Sequence, residues 1–208
     1  KSTPILVTGA TGYIAAWIIE RLLAQGYNVH ATVRDPSKKD KIQHLYDLAE
    51  KSSGNIQFFQ ADLLQQGSFD AAMQGCEIVI HTASPFVVNN YKDAVKDIIE
   101  PAVNGTENVL NSVNRTATVK RVVLTSSIAS TYGDAIEIQN TANNEFNESH
   151  WNNTSNDTHQ PYSYSKVAAE RKAWQMAEQQ GRWNLVCINP ALVMGPSLTE
   201  ASQSGSIE

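Results

Sequence analysis

Thr8-Gly9-Ala10-Thr11-Gly12-Tyr13-Ile14-Ala15 is the stretch that decides the fold. The apolar run Ile5-Leu6-Val7 leads into it and suits a strand buried on both faces. From Tyr13 onward the apolar residues shift to helical spacing, at Ile14, Trp17, Ile18 and Leu22. A glycine turn between strand and helix is the context that a dinucleotide-binding turn requires; without those flanks it would be an ordinary tight turn. Gly9 permits a backbone conformation that a side chain would block. Gly12 lets the main chain approach phosphate oxygens, and the helix start at Tyr13 and Ile14 offers unpaired N–H groups to an anion. Ala15, where a third glycine often stands, is small enough for close helix–strand packing.

Outward from this turn, the chain alternates. Strand-like apolar runs recur at Ile5–Thr8, 29–33, 56–61, 78–82, 121–126 and 185–189, separated by helical patterns that are clearest at 94–114 and 162–180. Alternation of this kind implies an α/β fold with a parallel, doubly wound sheet. One segment breaks the rhythm: 133–161 is rich in Asn, Glu, Ser and Thr and reads as a long loop. A loop of that length either walls a functional site or is a surface excursion. It ends directly before Tyr162.

The second strand bears on cofactor choice. Arg34 and Asp35 fall at its end, about where an adenosine ribose lies in such folds. A carboxylate there accepts from a free 2′-hydroxyl and favours NAD(H); a guanidinium pairs with a 2′-phosphate and favours NADP(H). Both are present, and Lys38, Lys39 and Lys41 tip the local field positive, so NADP(H) is the expectation and NAD(H) remains open. Asp62, after the third apolar run, stands where it can meet the adenine edge or cap the next turn.

Composition sets outer bounds. The 208 residues, with a formal charge of -5, suffice for one sizeable core. An acidic balance without a basic stripe argues against a nucleic-acid partner. No run approaches the roughly 18 apolar residues of a membrane span. Cys76 and Cys187 lie far apart in sequence, and a reduced, cytoplasmic setting is expected. The five histidines are scattered without metal-ligand spacing.

Tyr162-Ser163-Tyr164-Ser165-Lys166 carries the chemistry. Four residues apart on a helix, Tyr162 and Lys166 share a face. A free phenol ionises near pH ~10; a nearby ammonium favours the phenolate and is expected to lower that value, making a proton donor for a carbonyl that receives hydride. The third member should come from the end of the fifth strand, where Ser126 and Ser127 stand. Ser127 is the first choice and Ser126 the second. Taken alone, a Tyr-x-x-x-Lys pair is common on exposed helix faces, and a Ser-Ser strand end can bond to itself.

As a set, these motifs resemble the extended short-chain dehydrogenases/reductases, in the branch of dihydroflavonol reductases, cinnamoyl-CoA reductases and microbial aldehyde or ketone reductases. The likeness runs through residues 7–15, Ala31-Thr32-Val33-Arg34-Asp35-Pro36, His81-Thr82-Ala83-Ser84-Pro85, Asn104-Gly105-Thr106, residues 123–127, 162–166 and 189–196. It implies a Rossmann fold and a catalytic set of Ser127, Tyr162 and Lys166. It further implies a cofactor cradle of Gly9, Thr11, Gly12, Tyr13 and Ile14. Arg34 and Lys41 would grip the 2′-phosphate, Asp62 and Leu63 would meet the adenine, and Thr82, Ala83 and Ser84 would run along the cofactor. Lys166 would also hold the nicotinamide ribose, beside the strip from Pro190 to Val193.

Two departures narrow the substrate. Tyr132 stands where the flavonoid enzymes carry an Asn, and Gln160-Pro161 replaces an aromatic-rich approach seen in cinnamoyl-CoA reductases. The resemblance then implies a small-molecule aldehyde or ketone as substrate, in a monomer or homodimer. A sugar-nucleotide epimerase or dehydratase and a non-catalytic NADP(H) sensor are the rival functions. Members of the family run well past 300 residues, so residues 1–196 are expected to form the nucleotide-binding domain and 197–208 the start of a substrate lobe largely absent from this chain.

Overall fold

The computed structural model describes residues 2–85 and 91–199. Six strands form one sheet in the order β3-β2-β1-β4-β5-β6, and every neighbouring pair is parallel. They are β1 (Ile5–Thr8), β2 (Asn28–Val33), β3 (Asn55–Gln60), β4 (Ile78–His81), β5 (Arg121–Thr125) and β6 (Asn184–Ile188). Each expected strand is present, with ends displaced by no more than one residue. The helices are α1 (Tyr13–Ala24), α2 (Gln43–Glu50), α3 (Asp70–Met73), α4 (Glu100–Arg115) and α5 (Pro161–Glu178).

Burial explains why the apolar runs are continuous. All four residues of β1 are buried, because the central strand is covered on both faces. Leu6 points into a cluster with Phe69, Val109, Leu110, Val122 and Leu185, beneath α3, α4 and α5. Val7, its neighbour, points the other way, to Ile19, Leu23, Val29 and Leu45 beneath α1 and α2. The strand order reverses at β1, which pairs with β2 on one side and β4 on the other. A crevice therefore opens beyond the carboxyl ends of β1 and β4, where ligands bind in open parallel sheets.

Two expectations change. The single helix expected over 94–114 is a wider turn at Val95–Ile99 followed by α4. Pro101 lies in the first turn of α4 and has no N–H to give back to residue 97, so the regular ladder cannot run through it. Asp93 and Asp97 start the turn instead: Asp93 Oδ1 accepts from Val95 N (3.1 Å), and Asp97 Oδ2 accepts from Lys92 N (2.9 Å) and Asp93 N (3.0 Å). The segment 133–161 is not structureless either. It folds into tight turns at Ala135–Asn140 and Ala142–Asn144, and Asn152 ties it to Ala129 O while Asp134 ties its start to Gln160. Of the stretch 197–208, residues 200–208 lie outside the described residues.

Candidate active site

The glycine turn is built from main chain. Gly9 has φ +68°, in the left-handed region, and a Cβ there would stand 3.0 Å from Ala83 Cα. The turn and the end of β4 are thus in backbone contact, which only glycine allows. Gly9 N donates to Thr32 Oγ1 (3.2 Å) and Ala10 N to Thr32 O (2.9 Å), which ties the turn to β2. Gly12 precedes α1 in extended conformation, and no side chain caps that helix. The N–H groups around Thr11, Gly12, Tyr13 and Ile14 begin a helix of 12 residues and present its positive end to the crevice. An uncapped, side-chain-free cradle of this kind fits a pyrophosphate. The Tyr13 ring is buried, and its hydroxyl packs where a Cβ on Gly195 would be 3.0 Å away.

At the end of β2, Arg34 is exposed, whereas the Asp35 carboxylate turns into its own loop. Asp35 Oδ1 accepts from Ser37 N (3.0 Å) and Ser37 Oγ (2.6 Å), and Lys38 Nζ lies 4.0 Å from Oδ2. The Ser37 bonds, with help from Lys38, hold the Asp35 pKa below the usual carboxylate value. Lys41 closes the short turn Lys39–Lys41 nearby in sequence. Asp62 spends one oxygen on the chain: Oδ1 accepts from Leu64 N at 2.8 Å, so of the two roles open to it the turn cap is occupied. Leu63 packs on α4 at Gly105, where a Cβ would meet the Leu63 Cβ at 3.1 Å.

The end of β4 is knitted to β1 through Thr8. Its Oγ1 accepts from Thr82 N and Ala83 N, both at 3.1 Å, and lies 2.8 Å from His81 Nδ1. With both lone pairs taken, the Thr8 hydroxyl proton goes to Nδ1, and His81 carries its own proton on Nε2. Burial, with the positive charge of Lys166 adding to it, pushes the His81 pKa down to about 4. The Thr82 hydroxyl donates back to Thr8 O. Ser84 Oγ accepts from Lys166 Nζ at 2.7 Å, which brings the end of β4 to α5.

Tyr162, Lys166 and Ser127 converge. Pro161 opens α5, and Tyr162 and Lys166 follow on one face, with Lys166 Nζ 5.5 Å from the Tyr162 ring centroid. Lys166 is 8% exposed, and that burial lowers its pKa to about 8. The Ser127 hydroxyl lies beside Tyr162, close enough to act on the phenol. Its Oγ also accepts from Ala129 N (3.2 Å), capping the turn Ile128–Ser130. The phenol does not behave as expected from sequence: burial raises the Tyr162 pKa, and the Ser127 hydroxyl opposes the rise. The ammonium of Lys166 is engaged with Ser84 and lies over the ring rather than against the oxygen. Ser126, the second choice, points elsewhere; its Oγ meets Ser130 Oγ (2.9 Å) and donates to Glu170 Oε2 (2.5 Å). Pro190 joins β6 to this region by accepting from Ile128 N (2.9 Å), and Val193 lines an apolar groove with Tyr13, Ile14 and Trp17.

The segment before α5 is held by side chains. Asp134 Oδ1 accepts from Gln160 Nε2 (2.8 Å), and Asp134 Oδ2 lies 3.0 Å from His159 Nε2. Gln160, in the left-handed conformation (φ 56°), accepts on Oε1 from Ser155 Oγ at 3.0 Å. A Cβ on Gly133 would fall 2.2 Å from Thr154 Oγ1, so this loop closes only around a glycine. Tyr132 stacks on Phe146 with centroids 4.5 Å apart, and Phe146 meets His150 edge-on. Sequence reading does not single out Glu170, Asn189 or this aromatic stack. The spacing Tyr162, Lys166, Glu170 is the available signal for the first.

Among the described residues there is no group of three or more His, Cys, Asp or Glu side chains that could hold a metal ion, and no helix long and apolar enough to cross a membrane.

Known proteins resemble this chain along most of its length. A cinnamoyl-CoA reductase of Medicago truncatula is 43% identical over 197 residues, covering 93% of this chain and 59% of the relative. Tetraketide alpha-pyrone reductase 1 of Arabidopsis thaliana is 39% identical over 198 residues, 93% of this chain and 58% of its own length. Among solved structures, the yeast methylglyoxal/isovaleraldehyde reductase Gre2 complexed with NADPH aligns with a TM-score of 0.79 at 31% identity, covering 94% of this chain and 60% of that one. The chain thus spans about three-fifths of the relatives it matches. The model of the NAD dependent epimerase/dehydratase family matches residues 5–207, and the relatives fall in the extended short-chain dehydrogenase/reductase branch that the motifs indicate. The chain belongs to that family.

Proposed function

We propose that this chain is the cofactor-binding and proton-donating part of an NADP(H)-dependent reductase of aldehydes or ketones. The observation that carries the proposal is the convergence of Tyr162 and a buried Lys166 on one face of α5 with Ser127 beside the phenol, across the crevice from an uncapped glycine turn. Likeness to reductases, one of them solved with NADPH, supports it.

In this reading Thr11, Tyr13 and Ile14 present main-chain N–H groups to the pyrophosphate, while Gly9 and Gly12, whose own N–H groups are bonded within the turn, let the main chain approach it. Arg34 and Lys41 pair with the 2′-phosphate, since Asp35 is already committed to Ser37. Asp62 and Leu63 border the adenine, and Thr82, Ala83, Ser84, Pro190 and Val193 border the remainder. The bound dinucleotide supplies the hydride. Ser127 donates to the substrate carbonyl and orients it. Tyr162 gives its proton to the carbonyl oxygen, and a pKa raised by burial keeps that proton in place until it is needed. Lys166, one turn away, holds its ammonium on Ser84 and over the Tyr162 ring, where it can also take the nicotinamide ribose hydroxyls. The Tyr132–Phe146 stack and the bonded loop around Asp134 form one wall for the substrate.

The test is NADPH oxidation by the intact protein against aldehydes, ketones and nucleotide sugars. Turnover of carbonyl compounds that disappears in Tyr162→Phe supports the proposal. Turnover of nucleotide sugars alone would replace it with an epimerase or dehydratase.

A further inference from the structure

The inward face of α5 continues one turn beyond Lys166, to Glu170. This side chain is 6% exposed and is held by three neutral donors. Oε2 accepts from Ser126 Oγ at 2.5 Å and Asn189 Nδ2 at 2.9 Å, and Oε1 accepts from Trp174 Nε1 at 3.3 Å. A buried carboxyl without a paired cation is costly, and an apolar residue would fill this position on a helix face at less expense. What the carboxyl does here, and an apolar group cannot, is gather polar groups from three elements. Ser126 follows β5, Asn189 follows β6 and Glu170 belongs to α5.

Asn189 makes the connection to the site. One Nδ2 hydrogen goes to Glu170, and the other goes to Ser127 O at 3.0 Å. Main-chain bonds bracket the same residue, from Ser126 N to Ile188 O (2.8 Å) and from Ile128 N to Pro190 O (2.9 Å). Ser127 is therefore fixed at its carbonyl through Asn189 and at the preceding residue through the Ser126 hydroxyl, and both lines meet at one carboxyl.

We propose that Glu170 is a positioning residue for Ser127, acting through Asn189 and Ser126. The proposal rests on the reading above, in which the Ser127 hydroxyl orients the reacting carbonyl. A misplacement of about 1 Å costs up to ~100-fold in rate, so a loosened Ser127 should show in kcat. Substrate and cofactor contacts on other elements should be left alone.

Glu170→Gln keeps the volume but turns an N–H toward either Trp174 or Asn189, each itself a donor. In the intact protein, the expected result is a kcat at least about tenfold lower, with KM for the carbonyl and Kd for NADPH within about twofold of wild type. Asn189→Ala should give a similar loss, and the double variant should be no worse than the poorer single one, because both act on one path. Ser127→Ala is assayed beside them. If Ser127→Ala is slow and Glu170→Gln turns over like wild type, the positioning role is wrong. If Ser127→Ala itself turns over like wild type, the reading beneath it is wrong. Losses that add in the double variant mean two separate structural defects and also overturn the proposal. Should Glu170→Gln show no cooperative thermal transition, Asn189→Ala alone decides: a tenfold loss in kcat at unchanged KM supports the path, and wild-type turnover refutes it.

Discussion

Arg34→Ala separates the two cofactors, and the structure sets the size of the effect. The guanidinium is exposed at the end of β2, while the neighbouring Asp35 carboxylate accepts two bonds from Ser37 and has Lys38 4.0 Å away. If a 2′-phosphate is held here, Arg34 supplies a charge-assisted hydrogen bond, a class that contributes about 1.5–3 kcal/mol. Exposure to solvent and screening by salt put the expectation at the lower end, about 1.5 kcal/mol. That is roughly a tenfold weaker Kd for NADPH, with NADH changed by less than about twofold. Lys41→Ala should act in the same direction and less strongly. Asp35→Asn should leave the ratio of the two affinities nearly unchanged, because its oxygens are engaged within their own turn. Titration by nicotinamide fluorescence at two ionic strengths is the assay, and the Arg34 effect should shrink at the higher one. Equal losses for NADPH and NADH, or a ratio that moves with Asp35 and not with Arg34, would refute the assignment and make NAD(H) the cofactor.

Three further outcomes rest on the same geometry. Tyr162→Phe keeps the ring and loses the proton, so kcat in the intact protein should fall at least ~100-fold with little change in NADPH affinity, measured by steady-state kinetics and titration. Lys166→Met should abolish turnover yet stabilise the fold near neutral pH. Burial holds the Lys166 pKa at about 8 against 10.5 unfolded, so the unfolded chain binds the extra proton between those values and stability rises with pH across that window. Below pH 8 the full penalty is present in wild type, and removing it should gain about 2 kcal/mol after loss of the Ser84 bond; chemical denaturation at pH 7 and pH 10 checks this, and a deficit at pH 7 would contradict it. Gly9→Ala forces a Cβ at φ +68° to within 3.0 Å of Ala83 Cα; it should cost at least about 1–2 kcal/mol and weaken cofactor binding, read by thermal unfolding with and without NADPH.

The fold is legible in the sequence because its determinants are local and periodic. β1 is buried on both faces and β2 is buried along Val29, Ala31 and Val33, so these runs cannot be read as anything surface-exposed. The glycine turn stands out by its flanks, and the four-residue spacing of Tyr162 and Lys166 is enough to put both on one helix face. What stays hidden depends on tertiary placement. Pro101 interrupts the 94–114 pattern, and the turn that precedes α4 is set by Asp93 and Asp97, whose mutual bonds no periodicity reveals. The 133–161 segment reads as featureless because its order comes from side-chain bonds among Asp134, Asn152, Ser155 and Gln160, polar residues that composition assigns to solvent. The direction of the Tyr162 shift is hidden for a similar reason. A lysine four residues on suggests a lowered pKa, but Ser84, some 80 residues earlier, takes the Lys166 ammonium, and burial then dominates the phenol.

The two halves of the crevice are built by different means, and this bears on where change is tolerated. The side assigned to the cofactor in the proposed reading is largely main chain: the turn at Gly9, the uncapped start of α1, and the Thr8 hydroxyl that binds the end of β4. Apart from Arg34 and Lys41, side chains on its outer face can vary with little effect, provided the glycine geometry and Thr8 persist. The opposite side is a side-chain construction, in which Gly133 admits Thr154 and Asp134 holds both His159 and Gln160 directly before Pro161 and Tyr162. A substitution at Asp134 therefore acts on the entry to α5 and on the Tyr132–Phe146 wall together. In the proposed reading, shape toward substrate and placement of the proton donor are coupled through one carboxylate, while nucleotide binding is not. Changes of substrate preference in this chain should accordingly arise within 132–160 and carry a cost in kcat, whereas changes of cofactor preference should arise around Arg34 and carry none.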